Sequence, residues 1–420
     1  MRRCYEKYGG IFQIQLFWKK IAVICDHDLV AALFKGKEEH LSDAAQFTTV
    51  FPDGKYEYAV LHVRKALVFN KGEVIRRLEE DTQECMGRMK ELTETFKDWD
   101  LRDELYGHIT RTSCSSFSPI KLSDSVINQL HRFFEVIGQH LVRNFILPKW
   151  LIPWMCNLKR NRLRRSLVTI FEEHIRAYQS GSAQESILID TGIEYGKKLG
   201  GIGGDVTKYA AGFIIGFIYA SVENTTTALI NTIQYLAMPE NRDILDNLRA
   251  ECRNLVQTDF KQLLTAPLLN ACIMETARLC PSFIAVPRIP THQLQNLGPY
   301  FVEPAVNLVT LCGPLLHVYG NTESYFKNPT KFSPGRFLKE PSRECGAPEP
   351  TSSQYITTWG GGIHACPGKQ FALYAIKICV AHFILNFDFE IEGGIPELNY
   401  HGALALGERD VKFRVKKRND

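Results

Sequence analysis

The stretch TTWGGGIHACPGKQF, residues 357–371, sets one cysteine, Cys366, between a run of three glycines and a Pro-Gly pair, just ahead of a long apolar segment. Gly360, Gly361 and Gly362 allow positive φ and close approach of the backbone to another body, and turns of this kind aim consecutive N–H groups at an anion. A thiolate is such an anion. Phe371, Ala375, Ile378, Ala381 and Leu385 recur at helical spacing, which predicts a helix over roughly 369–386, with Pro367 suited to its first position. The sulfur then sits at a helix N-terminus, where the dipole and unpaired N–H groups lower a thiol pKa. Gly368, without a side chain, leaves room for a flat ligand against the helix start. A nucleophilic cysteine and a metal thiolate each want these electrostatics, and a plain buried cysteine after a turn is the third reading.

The rest of the chain bounds the choice. With 420 residues and 45% hydrophobic content it buries a large core, and no internal repeat or low-complexity linker marks a boundary, so a single domain over residues 1–420 is expected. A net charge of +4 with no basic stripe interleaved with aromatics argues against a nucleic-acid partner. The basic clusters at Lys159–Arg165 and Lys416–Arg418 read as solvated surface. Twelve cysteines without CxxC pairs fit neither a disulfide framework nor a zinc site. The opening MRRCYEKYGG carries no apolar run, so no signal peptide or anchor is visible there. The apolar stretch Tyr209–Val222 is too short to cross a bilayer and reads as a core helix.

Residues 11–25 alternate as two strands around a basic turn at Lys19-Lys20, and from about 73 to 276 the spacing is overwhelmingly helical. A second extended region covers about 283–313, followed by a polar, Pro-rich stretch at 327–356. The fold class expected is mainly α with a small β-sheet region.

Trp359-Gly-Gly-Gly-Ile-His-Ala-Cys366-Pro-Gly368 resembles the haem-binding loop of the haem-thiolate monooxygenases, the cytochrome P450 superfamily, whose pattern is Phe-x-x-Gly-x-Arg-x-Cys-x-Gly. Trp359 stands for the aromatic beside the sulfur, and His364 for the arginine that contacts a haem propionate. Further stretches follow the family's order. Glu275-Thr-Ala-Arg278 is similar to its Glu-x-x-Arg, with both side chains on one helix face, and Phe332-x-Pro-x-Arg336 supplies the second arginine of a buried charged triad. Ala220 to Thr227 resembles the distal oxygen-binding stretch and sets Glu223 at the acid and Asn224, unusually, at the alcohol, with Thr225 one residue further round. Arg288 falls where the family often holds a propionate, whereas Arg64 reads as surface charge. Pro148–Pro153 and the HACPG form of the loop resemble fungal enzymes of secondary metabolism.

The resemblance implies the cytochrome P450 fold and haem b, with Cys366 as axial thiolate and metal ligand, and Trp359, Gly362, His364, Gly368 and Arg288 around the cofactor. Partners implied are O2, a hydrophobic terpenoid, steroid or polyketide-like substrate, and an NADPH-cytochrome P450 reductase, since no GxGxxG nucleotide unit follows a strand here. Lys369, Lys377 and Arg76-Arg77 are candidates for a basic docking face. The family location implied is the cytosolic face of the endoplasmic reticulum membrane, although the chain alone reads as soluble or peripheral. Two other readings stand beside the monooxygenase: a haem-thiolate isomerase or dehydratase working without a reductase, which Asn224 favours, and a non-catalytic haem binder.

Overall fold

Ile11–Leu16 (β1) and Lys19–Ile24 (β2) form an antiparallel hairpin with Ile11 opposite Ile24 and Leu16 opposite Lys19. Lys19-Lys20 therefore begin the second strand and do not form the turn. The computed structural model describes residues 2–16, 19–37, 40–42, 62–67, 71–146, 152–181, 185–200, 205–280, 285–290, 295–303, 306–311, 326, 328–338, 357–393 and 412–418. Pro148–Trp150 and most of the Pro-rich stretch lie outside these residues.

The hairpin leads from Arg2–Tyr8 (α1) into His27–Lys35 (α2), which is capped by Asp26, whose carboxylate accepts the N–H groups of Asp28 and Leu29 at 2.8 and 3.1 Å. Leu41–Ser42 (β3) and a helical turn at 62–66 precede Lys71–Leu92 (α3) and Lys97–Asp98 (β4). A run of helices follows: Leu101–Phe117 (α4), Asp124–Ile146 (α5), Ile152–Gln179 (α6), Ile187–Gly200 (α7), Val206–Ala237 (α8), Arg242–Thr258 (α9) and Pro267–Leu279 (α10). Ala285–Pro290 (β5), Gln295–Leu297 (β6), Tyr300–Val302 (β7) and Val306–Leu311 (β8) make up the second extended region. Lys369–Asn386 (α11), Phe387–Ile391 (β9) and Phe413–Lys417 (β10) close the described chain.

The main sheet has strand order β1-β2-β8-β5-β3, with β2 and β8 parallel and its other pairs antiparallel. β2 is covered on both faces. Ala22 and Ile24 pack with Leu29, Leu33 and Leu308, while Ile21 and Val23 pack with Phe12; this is why IAVI reads as a continuous apolar run.

The helical part is built around α8, which packs on α4, α6, α7, α10 and α11. At 32 residues it outruns the apolar stretch that announces it, and by length and composition alone it could cross a bilayer. Because 83% of its most apolar window is buried, it is the core helix expected. α11 starts at Lys369, so Pro367 lies in the turn before the helix. Nor is its apolar surface one stripe: it is buried on nearly every side between α3, α8 and α9, and even Lys377 and His382 are inside. Its C-terminus is held by the buried Arg249 of α9, whose guanidinium donates to the carbonyls of Ile384 and Phe387 at 3.0 and 2.9 Å, satisfying helix-end oxygens with a cation.

Candidate active site

The loop ahead of α11 is drawn shut by the Cys366 N–H, which donates to the Trp359 carbonyl at 2.8 Å. Gly360 and Gly362 both take positive φ, +62° and +61°. At Gly362 the requirement is absolute, because a Cβ there would lie 1.9 Å from the Phe34 carbonyl oxygen at the end of α2. The missing side chain thus serves packing of the loop on α2. At Gly368 a Cβ would meet the Cys366 sulfur at 3.9 Å, an ordinary contact, so this glycine keeps space open beside the sulfur. Cys366 itself is exposed. Surrounding protein nevertheless desolvates the sulfur and pushes its pKa up, while the N–H groups of Gly368 and Lys369 and the Lys369 ammonium pull it down. The net direction is opposite to that expected from the helix end alone. A thiolate at this place wants more positive charge than the backbone supplies, and a coordinated iron would supply it.

Beneath the loop, Glu275, Arg278 and Arg336 come together, each almost wholly buried. The Arg278 Nε and Nη2 donate to the Glu275 carboxylate at 2.7 Å each, a bidentate fork, and the Arg336 Nε donates to Oε1 at 3.2 Å. The Ser333 N–H adds a fourth bond to the carboxylate, at Oε1, 2.9 Å away. Arg278 also donates to the Pro329 carbonyl and Arg336 to the Asn328 carbonyl, so the cluster fixes residues 328–336 against α10. It meets the cysteine loop through α10: the Thr358 hydroxyl donates to the Ala277 carbonyl at 2.7 Å, and Trp359 packs with Met274, Ala277 and Phe337.

On the other side, α8 is buried around its circumference from Phe213 to Gln234, except at the exposed Ala220 and the half-buried Ser221 and Asn224. Residues 220, 221 and 224 share one helix face. Asn224 thus belongs to the accessible stripe, whereas Thr225 is buried. Glu223 is also buried and turns toward α4: it accepts a hydrogen bond from the Tyr106 hydroxyl at 2.8 Å and lies 3.8 Å from the Arg102 guanidinium. Burial raises its pKa above 4.5, opposed by Arg102 and Tyr106 and assisted by Glu135. This carboxyl therefore holds its proton to higher pH than an exposed glutamate does.

Arg288 is buried on β5, and Arg64, from the turn at 62–66, donates to the Ile363 carbonyl of the cysteine loop at 2.7 Å. Both raise the positive potential at His364, whose pKa burial and these two charges push down to about 4. Arg64, read from sequence as surface charge, is part of this group; no spacing joined it to a loop 299 residues away. Tyr106 and Arg102 were likewise invisible, being linked to Glu223 only by the packing of α4 on α8.

These residues fit a haem. The chain offers an accessible thiol, an accessible stripe on an otherwise buried helix that packs on α11, and converging basic side chains whose mutual repulsion an anionic group such as a propionate would relieve. The basic docking face does not form as expected. Lys377 is buried and donates to the Leu264 carbonyl, Arg76 is paired with Glu73 and Glu80, and Arg77 with Glu73 and the Ser115 carbonyl.

A helical body with a small sheet and a braced cysteine loop at the head of its last long helix is the architecture of the haem-thiolate class. The family model described as Cytochrome P450 matches residues 1–415, and the chain belongs to the cytochrome P450 family. It is similar to a probable lanosterol 14-alpha demethylase of Acanthamoeba polyphaga mimivirus, 28% identical over 98% of this chain and 58% of that protein. It is also similar to the sterol 14-demethylase of Arabidopsis thaliana, 24% identical over 100% of this chain and 86% of that one. The cytochrome P450 monooxygenase cdmJ of Talaromyces verruculosus is 24% identical over 95% of this chain and 80% of its own length.

Proposed function

We propose that the protein is a haem-thiolate monooxygenase that inserts one atom of O2 into a hydrophobic polycyclic substrate of sterol or related terpenoid type. In the balanced reaction a substrate C–H bond, O2, two electrons and two protons become C–OH and water; NADPH supplies the electrons through a separate flavin-containing reductase, and the protons come from the NADPH hydride and from solvent. The carrying observation is the exposed Cys366 at the head of α11, in a loop braced by the buried Glu275–Arg278–Arg336 cluster. The haem, when bound, supplies oxygen activation, and its cysteine ligand favours O–O cleavage.

The chain's own residues do the rest. Cys366 would ligate the iron, with the Gly368 and Lys369 N–H groups holding its charge. Arg288, His364 and Arg64 would take the propionates, with the neutral histidine as a hydrogen-bond donor. Glu223 would hold a proton and release it toward the accessible face, where the Asn224 side chain offers both donor and acceptor.

The sterol class is supported by the names of the mimivirus and Arabidopsis relatives. A tailoring step in secondary metabolism is the second reading, favoured by the similarity to cdmJ and by the HACPG loop. An endoplasmic reticulum location is part of the first reading. Incubating the purified holoprotein with lanosterol and with obtusifoliol tests the assignment. We expect product only when NADPH, reductase and O2 are all present. Product formed without reductase would instead support the isomerase or dehydratase reading, and binding of neither sterol would favour the second substrate class.

A further inference from the structure

We propose that the cleft between α4 and α5 is the proton port of the site, and that Tyr106 passes protons from its solvent to Glu223. The inference rests on the reading of Glu223 as the distal acid.

Tyr106 is 1% exposed, and its hydroxyl points at Glu223 Oε1 from 2.8 Å. On the far side its ring is covered by His131 of α5, stacked at 4.1 Å with 19° between the planes. His131 lines two adjoining surface cavities of about 350 and 480 Å³, and Tyr106 lines the larger. Asn128 and Asp103 line both. One aromatic pair thus separates solvent from a buried carboxyl that directly precedes Asn224 on the accessible stripe of α8. Burying Glu223 costs stability unless its partners offset it. A hydroxyl on one oxygen and a guanidinium 3.8 Å from the other suit a group that is recharged and discharged.

In the step, the Tyr106 O–H bond breaks as its proton passes to Glu223 Oε1, and the carboxyl turns and releases the proton it carried toward the accessible face of α8. A water admitted from the cleft past the Tyr106–His131 pair reprotonates the phenol oxygen, its hydroxide taking a proton from bulk solvent. One proton moves from water to the site and no electrons move. Burial and the charge of Glu223 hold the phenol's pKa well above 10, so tyrosinate does not accumulate and the transfers are concerted. The groups that face the relay are Arg102 from α4, His131 and Glu135 from α5, and Tyr219 from α8.

The test is infrared spectroscopy on the haem-loaded protein at the pH where Glu223 is half protonated, following the carboxyl band that Glu223→Gln removes as it exchanges into D2O. Tyr106→Phe keeps the stacked ring and is expected to slow this exchange at least about tenfold, within the range of a lost proton-transfer partner. Asn128→Trp, which fills the shared cleft and leaves the hydroxyl in place, is expected to slow it as well. In turnover both variants lose a larger share of reducing equivalents as peroxide. Exchange at the wild-type rate in both overturns the port and leaves the role of Glu223 standing. Wild-type coupling and solvent isotope effect in Glu223→Gln would overturn that role and the port with it.

Discussion

Glu275→Ala is expected to yield no haem-loaded protein. The substitution removes the carboxylate that the buried Arg278 and Arg336 share, leaving two buried guanidinium groups without that anion and the Ser333 N–H without its acceptor. Deleting one partner of a buried ion pair costs about 3–5 kcal/mol, a large part of the ordinary stability of a domain. The loss is also local, since the cluster fixes residues 328–336 to α10, the helix on which Trp359 and Thr358 rest. Haem content on purification, with denaturant unfolding of the remaining protein, measures it. Glu275→Gln, which keeps an acceptor but not the charge, should fall between wild type and alanine. A well-populated holoprotein from Glu275→Ala would refute the bracing role.

Gly362→Ala comes close in severity for a different reason. The left-handed backbone at φ +61° costs a non-glycine residue about 1–3 kcal/mol. The new methyl would also overlap the Phe34 carbonyl oxygen at 1.9 Å, a backbone atom that moves only with α2 or with the loop. A combined loss on the order of 3 kcal/mol is expected, together with a displaced cysteine loop that retains haem poorly. Gly87→Ala in α3 is the matched control. Nothing lies within 4 Å of its added Cβ, so the helix should gain up to about 1 kcal/mol. Thermal unfolding of both variants decides; a Gly362→Ala protein as stable as wild type would mean that the loop does not need this contact.

What could be read from sequence was whatever local periodicity or motif spacing encodes. The span of α11 and the pairing of Glu275 with Arg278 follow from helical spacing, and Arg336 from its place in the Phe-x-Pro-x-Arg stretch. Contacts between distant elements were not legible. Gly362 reads as a turn glycine that lets the backbone approach another body and, by the resemblance, the cofactor, but its constraint is Phe34, more than three hundred residues earlier in the chain. The helix end alone predicts a lowered Cys366 pKa, while desolvation, which depends on everything packed around the sulfur, sets the direction. Glu223 was recognised as an acid, yet its turn toward Arg102 and Tyr106 exists only because α4 lies against α8. The pairing of the arginines on α3 is legible, since Glu73 stands three residues before Arg76 and four before Arg77 and Glu80 stands four after Arg76, a helical spacing that already announces their neutralisation.

The central claim is that the Cys366 sulfur binds haem iron, and the absorption spectrum of the reduced protein under carbon monoxide tests it most directly. The account predicts a Soret band far to the red of that of a histidine-ligated haem in the wild-type protein, and its loss in Cys366→Ser. A wild-type spectrum without that shift, or a serine variant that keeps it, would contradict the account.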